Sequence, residues 1–348
     1  MEKSPMDLTA LPHTDPLEIY RYRDGLYAVD LLAAAITEFD FFTRLAAQPA
    51  TLENICRDLG LAARPADVML TLFAANGFVR RDAAGVCHAT SVAREHLVSS
   101  SPFFLGPYYA SLKERPVVCD FVKVLRTGRP ANWGSYAHEK PWSEAMLTDE
   151  FATTFTAAMD CRGAYLGAAM AKKIPAKGRR RLLDIAGGSG IYACAVVANH
   201  PHLAATVFER PPVDRIARTL IAKRGFTGRV DVAAGDMFTT PLPRGFDLHL
   251  FSNVLHDWDT DKVALLLAAS FAALDPGGQL IVHDAHLNAE KDGPLPVAKY
   301  SALLMSVTEG KCYSTAEMAA LLGAAGFVEF AHEPTAADRS IVTARKPA

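Results

Sequence analysis

From residue 179 onward, short apolar runs alternate with longer stretches whose apolar residues recur every three or four positions. The pattern predicts strands at 181–185, 204–208, 229–234, 246–251 and 278–283, and helices at 190–199, 212–223, 260–274, 295–307 and 315–324. Two late strands, 327–333 and 340–345, complete a mostly parallel seven-stranded sheet with helices on both faces, an α/β arrangement of the Rossmann type. Leu182, Leu183 and Ile185 run into Ala186-Gly187-Gly188-Ser189-Gly190, and a helical stretch follows. Strand, glycine turn and helix open a nucleotide-binding βαβ unit, and ligands of such sheets lie beyond the carboxyl ends of the strands.

The first hundred residues follow a different rhythm. Positions 15 to 42 read as helical, with Tyr20, Leu26, Val29, Leu31, Leu32 and Ile36 forming a broad apolar face that suggests burial against a second copy of the chain. Thr51 caps a helix that Gly60 ends, a second helix runs from about 66 to 76, and 78–81 with 86–88 can pair as a small wing. That is a winged-helix outline. DNA readout needs cations on the recognition face, and Ala66–Asn76 holds no Lys or Arg and one Asp, so the outline is read as structural, with no nucleic-acid partner. Residues 101–175 are mostly helical, with a loop at Gly128–Gly134. The partition is therefore 1–100 as a mainly α winged-helix dimerisation domain, 101–175 as a helical connector, and 176–348 as the α/β domain.

Composition narrows the class. At 348 residues, 50% hydrophobic and 21% charged, the chain reads as an ordinary globular protein, and a net charge of −2 points to no polyanionic partner. Six scattered cysteines without a CxxC read as free thiols in a reducing compartment. Positions 1–16 lack a signal pattern and no run is long enough to span a bilayer, so the expected setting is cytoplasmic, away from membranes.

The chemistry gathers at strand ends. Gly188-Ser-Gly190-Ile-Tyr-Ala193 fits GxGxxA, and Glu209 ends the second strand where a ribose-binding acid belongs. These two features fit any adenosine cofactor, NAD included. Asp184 immediately before the glycines would repel a pyrophosphate and welcome a cation. Gly235-Asp236-Met237-Phe238 follows the third strand, offering a carboxylate to an adenine amino group and apolar side chains to its ring. Val254-Leu-His256-Asp-Trp258 follows the fourth and brings a histidine to the same crevice. S-adenosyl-L-methionine suits this set, having a ribose diol, an adenine and positive charge but no phosphate. No His/Cys/Asp spacing suggests a metal site.

The ordered set LLDIAGGSG, FER, GDMF, NVLHDW, LDPGG and LIVHD resembles the small-molecule O-methyltransferases of the plant caffeate and bacterial polyketide type, over nearly the whole chain. The resemblance implies a winged-helix dimerisation domain joined to a Rossmann-like methyltransferase domain, a homodimer, and a small aromatic acceptor. It implies that Gly187 and its neighbours contact the methionyl part of the cofactor, Glu209 the ribose, and Asp236 and Met237 the adenine. Ser252 and Asn253 stand where the family often has Lys or Arg beside the cofactor. His256 aligns with the catalytic base and Asp284 with the carboxylate that holds it. Met159, Asn253 and Met305 are expected pocket walls.

Two departures stand out. Ala186 replaces the first motif glycine, tolerable with a negative φ, and Cys312 stands where a second acidic partner of the histidine is common. The competing readings are a histidine that merely caps the helix beginning near Asp259, a carbon or nitrogen acceptor on the same fold, an NAD-dependent oxidoreductase, and a non-catalytic winged-helix regulator. Asp257 and Trp258 read as structural, His283 and His286 as weaker rivals to His256, and Asp160 with Arg162 as a solvated face.

Overall fold

A computed structural model describes residues 7–131 and 142–348, so the loop read at Gly128–Gly134 is described only as far as Ala131. The chain divides into two compact units that interleave in sequence. One comprises Met1–Glu18, Trp142–His286 and Thr315–Ala348, the other Ile19–Pro141 and Leu287–Ser314. The units thus do not follow consecutive thirds of the chain. Residues 149–171 go with the large sheet, and 287–314 go with the N-terminal helices.

The second unit opens with α1 (Leu17–Asp24), α2 (Ala28–Thr37) and α3 (Phe41–Ala47), three helices where the apolar pattern suggested one. Gly25 makes the first break, and Asp40 at φ +44 makes the second. Next come β1 (Ala50–Thr51), α4 (Leu52–Leu59), α5 (Ala63–Ala75), β2 (Val79–Arg81) and β3 (Val86–Ala89), paired in the order β1-β3-β2. Thr51 Oγ1 accepts from the Asn54 N–H and Gly60 takes φ +65, the two caps expected of α4. Then follow α6 (Ser91–His96), α7 (Gly106–Ala110) and α8 (Pro116–Thr127).

The winged-helix outline is present, but α5 is buried continuously from Pro65 to Phe73 and packs on the helix Leu295–Val307. Its Asp67 is ion-paired to Lys291 and Lys311, the latter at 2.7 Å. The helix that would read DNA is thus an interior element of its unit.

In the sheet unit, α9 (Trp142–Ala145) and α10 (Asp149–Ala171) precede β4 (Arg181–Ile185), α11 (Ile191–Asn199), β5 (Ala204–Glu209), α12 (Val213–Lys223), β6 (Val230–Ala234) and β7 (Leu248–Ser252). After them come α13 (Thr260–Ala273), β8 (Gln279–Asp284), the helix α14 (Leu295–Val307) of the other unit, α15 (Thr315–Ala324), β9 (Val328–Pro334) and β10 (Ser340–Arg345). The seven strands lie in the order β6-β5-β4-β7-β8-β10-β9, with β10 antiparallel to both neighbours. Strands β4, β7 and β8 are buried almost end to end, the mark of a parallel sheet covered on both faces. Helix α10 closes on α11 through Gly163 and Gly167, and a Cβ at Gly163 would fall 2.3 Å from Ile191 Cγ2.

The strand order reverses between β4 and β7, where β4 has β5 on one side and β7 on the other. That switch point opens a crevice beyond the strands' carboxyl ends. Among the described residues, no helix is long and apolar enough to cross a membrane. All six cysteines are free thiols.

Candidate active site

Three strand ends build the first half of the site. The turn after β4 places Ala186, Gly188 and Gly190 at φ +54, +56 and +74. Ala186 therefore departs from the negative φ expected of it and carries strain that glycine would avoid. Gly187 must be glycine for a different reason, since a Cβ there would lie 2.6 Å from the Asp184 carboxyl carbon.

Asp184 is the unusual group of this half. Its side chain is 0% exposed, and neither carboxylate oxygen has a hydrogen-bond partner among the described residues. Burial pushes its pKa up to about 7, and the nearby Glu209 charge adds to the shift. An unpaired carboxylate in such a place is costly and calls for a cationic or hydrogen-bonding ligand.

Glu209, at the end of β5, accepts from the Gly188 N–H at 3.0 Å and the Arg210 N–H at 2.9 Å, which ties the glycine turn to the neighbouring strand. Burial raises its pKa as well. Beyond β6, Gly235 lies flat on the Phe208 ring, leaving no space for a Cβ. Asp236 accepts from the Phe238 N–H at 2.8 Å, next to the half-buried Met237. The Phe238 ring meets Trp258 edge-on at 4.7 Å, so Trp258 joins this wall. Every cofactor residue read from these three loops thus falls at one edge of the sheet. The set fits S-adenosylmethionine, whose positive charge would answer the Asp184 carboxylate beside a backbone that only Gly187 permits.

At the end of β7, Ser252 Oγ lies 2.9 Å from His283 Nδ1. Asn253 holds φ +54, and its amide donates to Tyr192 Oη at 3.0 Å and to Ser252 Oγ at 3.2 Å. Its Oδ1 is buried without a partner among the described residues. Tyr192 carried no signal in the sequence, because its hydroxyl meets Asn253 only once β4 and β7 are neighbours.

The second half of the site is a knot of paired charges. A single 3-10 turn, Leu255–Asp257, follows β7 and carries His256. Its Nδ1 lies 2.5 Å from Asp284 Oδ1 at the end of β8, and that oxygen also accepts the Ala285 N–H at 2.8 Å. Burial would lower the His256 pKa, but the Asp284 and Asp257 charges more than offset it and raise it. Against the same burial, the His256 charge and its hydrogen bond hold Asp284 down at about 2. The helix cap belongs to Asp259, whose carboxylate accepts the Lys262 N–H at 2.9 Å, so His256 is not spent on capping α13. The rival histidines are engaged elsewhere. His283 pairs with Ser252, His286 Nδ1 lies 2.8 Å from Ser340 Oγ, and burial lowers their pKa values to about 3 and about 4.

Two residues read as a solvated face are not one. Asp160 pairs with Arg224, both mostly buried. Arg162 is half-buried, and its charge opposes protonation of His256 and favours ionisation of Asp257. Apolar neighbours on α10 had disguised its role. Met159 is half-buried on α10, while Met305 and Cys312 are fully buried in the other unit. There the Met305 carbonyl accepts from Arg64 and the Cys312 N–H donates to Ser301 Oγ.

Comparison with known proteins gives a consistent picture. Residues 120–328 match the family model of an O-methyltransferase domain. The chain is 32% identical to a 3-hydroxy-5-methyl-1-naphthoate 3-O-methyltransferase of Streptomyces sahachiroi, covering 88% of this chain and 87% of that one. It is 28% identical to a tetracenomycin polyketide synthesis 8-O-methyl transferase of Streptomyces glaucescens, covering 97% and 99%. The crystal structure of an O-methyltransferase family 2 protein from Planctomyces limnophilus, in complex with apigenin, superposes with a TM-score of 0.88 at 32% identity, covering 99% of this chain and all of that one.

Proposed function

This chain belongs to the O-methyltransferase family and depends on S-adenosylmethionine, and we propose that it methylates a phenolic hydroxyl of a small aromatic or polyketide-type acceptor with His256 as general base. The similarity to enzymes named for a naphthoate and a polyketide, and to a protein bound to apigenin, supports an aromatic acceptor. Asp184, Gly187 and Gly188 would hold the methionyl part of the cofactor, Glu209 the ribose, and Gly235, Asp236, Met237 and Phe238 the adenine. Ser252 and Asn253 would close the same crevice. When bound, S-adenosylmethionine supplies a methyl group already activated by its sulfonium.

The protein's own task is to align the acceptor oxygen and take its proton. A phenol titrates near 10, so ionising it at pH 7 costs about 4 kcal/mol unaided. His256 accepts that proton as it leaves, on the ring nitrogen opposite the one held by Asp284. Asp284, ionised throughout the working range, fixes the tautomer and stabilises the imidazolium. The 2.5 Å pairing of His256 with Asp284 is the observation that carries the proposal.

Its test is an acceptor screen with apigenin and 3-hydroxy-5-methyl-1-naphthoate, reading S-adenosylhomocysteine formed by wild type and by His256→Gln. The variant should lose about 10²–10⁴-fold in kcat while still binding S-adenosylhomocysteine. Near-normal turnover by the variant overturns the assignment. Ile19, Tyr22, Leu26 and Val29 are exposed near the N-terminus and support a homodimer through that region, which sedimentation velocity tests by resolving dimer from monomer. Six free thiols support a cytoplasmic setting.

A further inference from the structure

Asp257 has no part in the mechanism above, yet its carboxylate Oδ1 lies 3.6 Å from His256 Nε2, the nitrogen opposite the one that Asp284 holds. That separation is too long for a hydrogen bond, and a shift of a few tenths of an ångström would make one. His256 is thus a close polar neighbour of this carboxylate. The three side chains also differ in access. His256 is 4% exposed and Asp284 5%, while Asp257 is 15% exposed.

Each turnover creates a proton that has to leave. The acceptor O–H bond breaks, an N–H bond forms at His256 Nε2, and the methylated product carries no charge to take the proton away. Asp284 does not remove it, because its hydrogen bond to the opposite nitrogen stabilises the imidazolium. His256 must return to neutral before it can serve again, and its side chain is almost wholly buried.

We propose that Asp257 is the proton exit of the site, taking the proton from His256 Nε2 onto its own Oδ1 after methyl transfer and passing it to solvent. The N–H bond breaks as the Asp257 O–H bond forms, water then takes the proton, and both groups return to their starting charge. No further reactant is needed.

The surroundings tune this path. Burial pushes the Asp257 carboxyl up to about 6, with His256 pulling it down, Asp284 raising it and Arg162 lowering it. His256 itself faces Asp284, Asp257 and Arg162. A carboxyl in its ordinary range near 3.9 would hold the proton too weakly to draw it from an imidazolium whose own pKa is raised, and one near 6 narrows that gap. Proton hops across the narrowed gap are fast against a turnover of about 10 per second, so removing the exit makes regeneration of the base the slow step.

The proposal rests on His256 being the base, and the experiment separates the two. Asp257→Asn is compared with wild type using 3-hydroxy-5-methyl-1-naphthoate or apigenin, whichever is turned over. Methyl transfer in a single turnover should stay within about threefold, steady-state kcat should fall at least about tenfold, and added imidazole buffer should restore kcat in a saturable way. Asp257→Glu, which keeps a carboxylate, should keep kcat within about threefold, and it carries the test alone should the Asn variant not fold. A reading independent of any acceptor is the 15N titration of His256, which should shift to lower pH in Asp257→Asn.

Normal kcat in Asp257→Asn overturns the exit. So does an equal fall of single-turnover and steady-state rates without response to buffer, or a His256 titration unmoved by the substitution. If instead His256→Gln turns over normally, the base assignment itself is lost.

Discussion

Asp184 and Asp284 are buried carboxylates at the ends of two parallel strands, separated in the sheet by β7 alone, and they are in opposite states. Asp284 is held at about 2 by the imidazolium it faces, whereas Asp184, with no side-chain partner among the described residues, is pushed up to about 7 by burial. Burial acts on both, so it does not explain the difference. The partner does. One carboxylate completes a pair within the protein, and the other is left for a ligand, which is the distinction between a group that performs chemistry and a group that binds.

The largest expected effect separates the two directly. His256→Gln removes the partner of Asp284 and should lower kcat by about 10²–10⁴-fold. Calorimetry should find its affinity for S-adenosylhomocysteine within a few-fold of wild type. Asp184→Asn is the converse experiment, removing the charge that awaits a cation, and should weaken cofactor binding by about 10–100-fold. If both variants lost binding and turnover equally, the two halves of the site would not be functionally distinct.

The pH dependence of the two halves has opposite sign. Asp184 has a folded pKa raised above its unfolded value of about 3.9, so its contribution to stability is full below that pH and declines as pH rises toward 7. Its depressed counterpart, Asp284, contributes stability above about pH 4 that is lost as pH falls toward 2. Cofactor affinity should therefore weaken as pH drops below 7, with a proton released on binding at pH 6 by wild type and not by Asp184→Asn. The acid limb of kcat/KM follows the base instead and should have its midpoint above 6.5, because the folded His256 pKa is raised.

Smaller effects test the turn that holds Asp184. Gly187→Ala drives a Cβ into that carboxylate and should destabilise the protein by about 1–3 kcal/mol while weakening cofactor binding. Ala186→Gly relieves a positive φ and should raise the melting temperature by no more than about 2 °C. A fall instead would mean that the methyl group packs more favourably than its backbone is strained.

The strands and helices after residue 179 were legible because apolar periodicity is a local signal, and each boundary falls within about two residues of the pattern. The N-terminal region was less so. A continuous apolar face over 15–42 concealed breaks at Gly25 and Asp40, since periodicity records which side is buried but not where the backbone turns. Asp160 and Arg162 were misjudged because a charged residue on a helix reads as exposed until its neighbours on other elements are known. That α5 lies inside its unit, with Asp67 bound by two lysines more than two hundred residues away, was likewise invisible to any window of sequence.

By itself, the sequence determined which residues stand at strand ends: Glu209, Ser252 and Asp284 close their strands, and Asp184 is the last but one of its own. Only the tertiary structure decided which of those ends meet. His256 faces Asp284 because β7 and β8 are adjacent, whereas neither carboxylate oxygen of Asp184 meets a hydrogen-bond partner among the described residues. The physical reason is that periodicity follows neighbours along the chain, whereas the charge state of a buried carboxylate follows neighbours across the sheet.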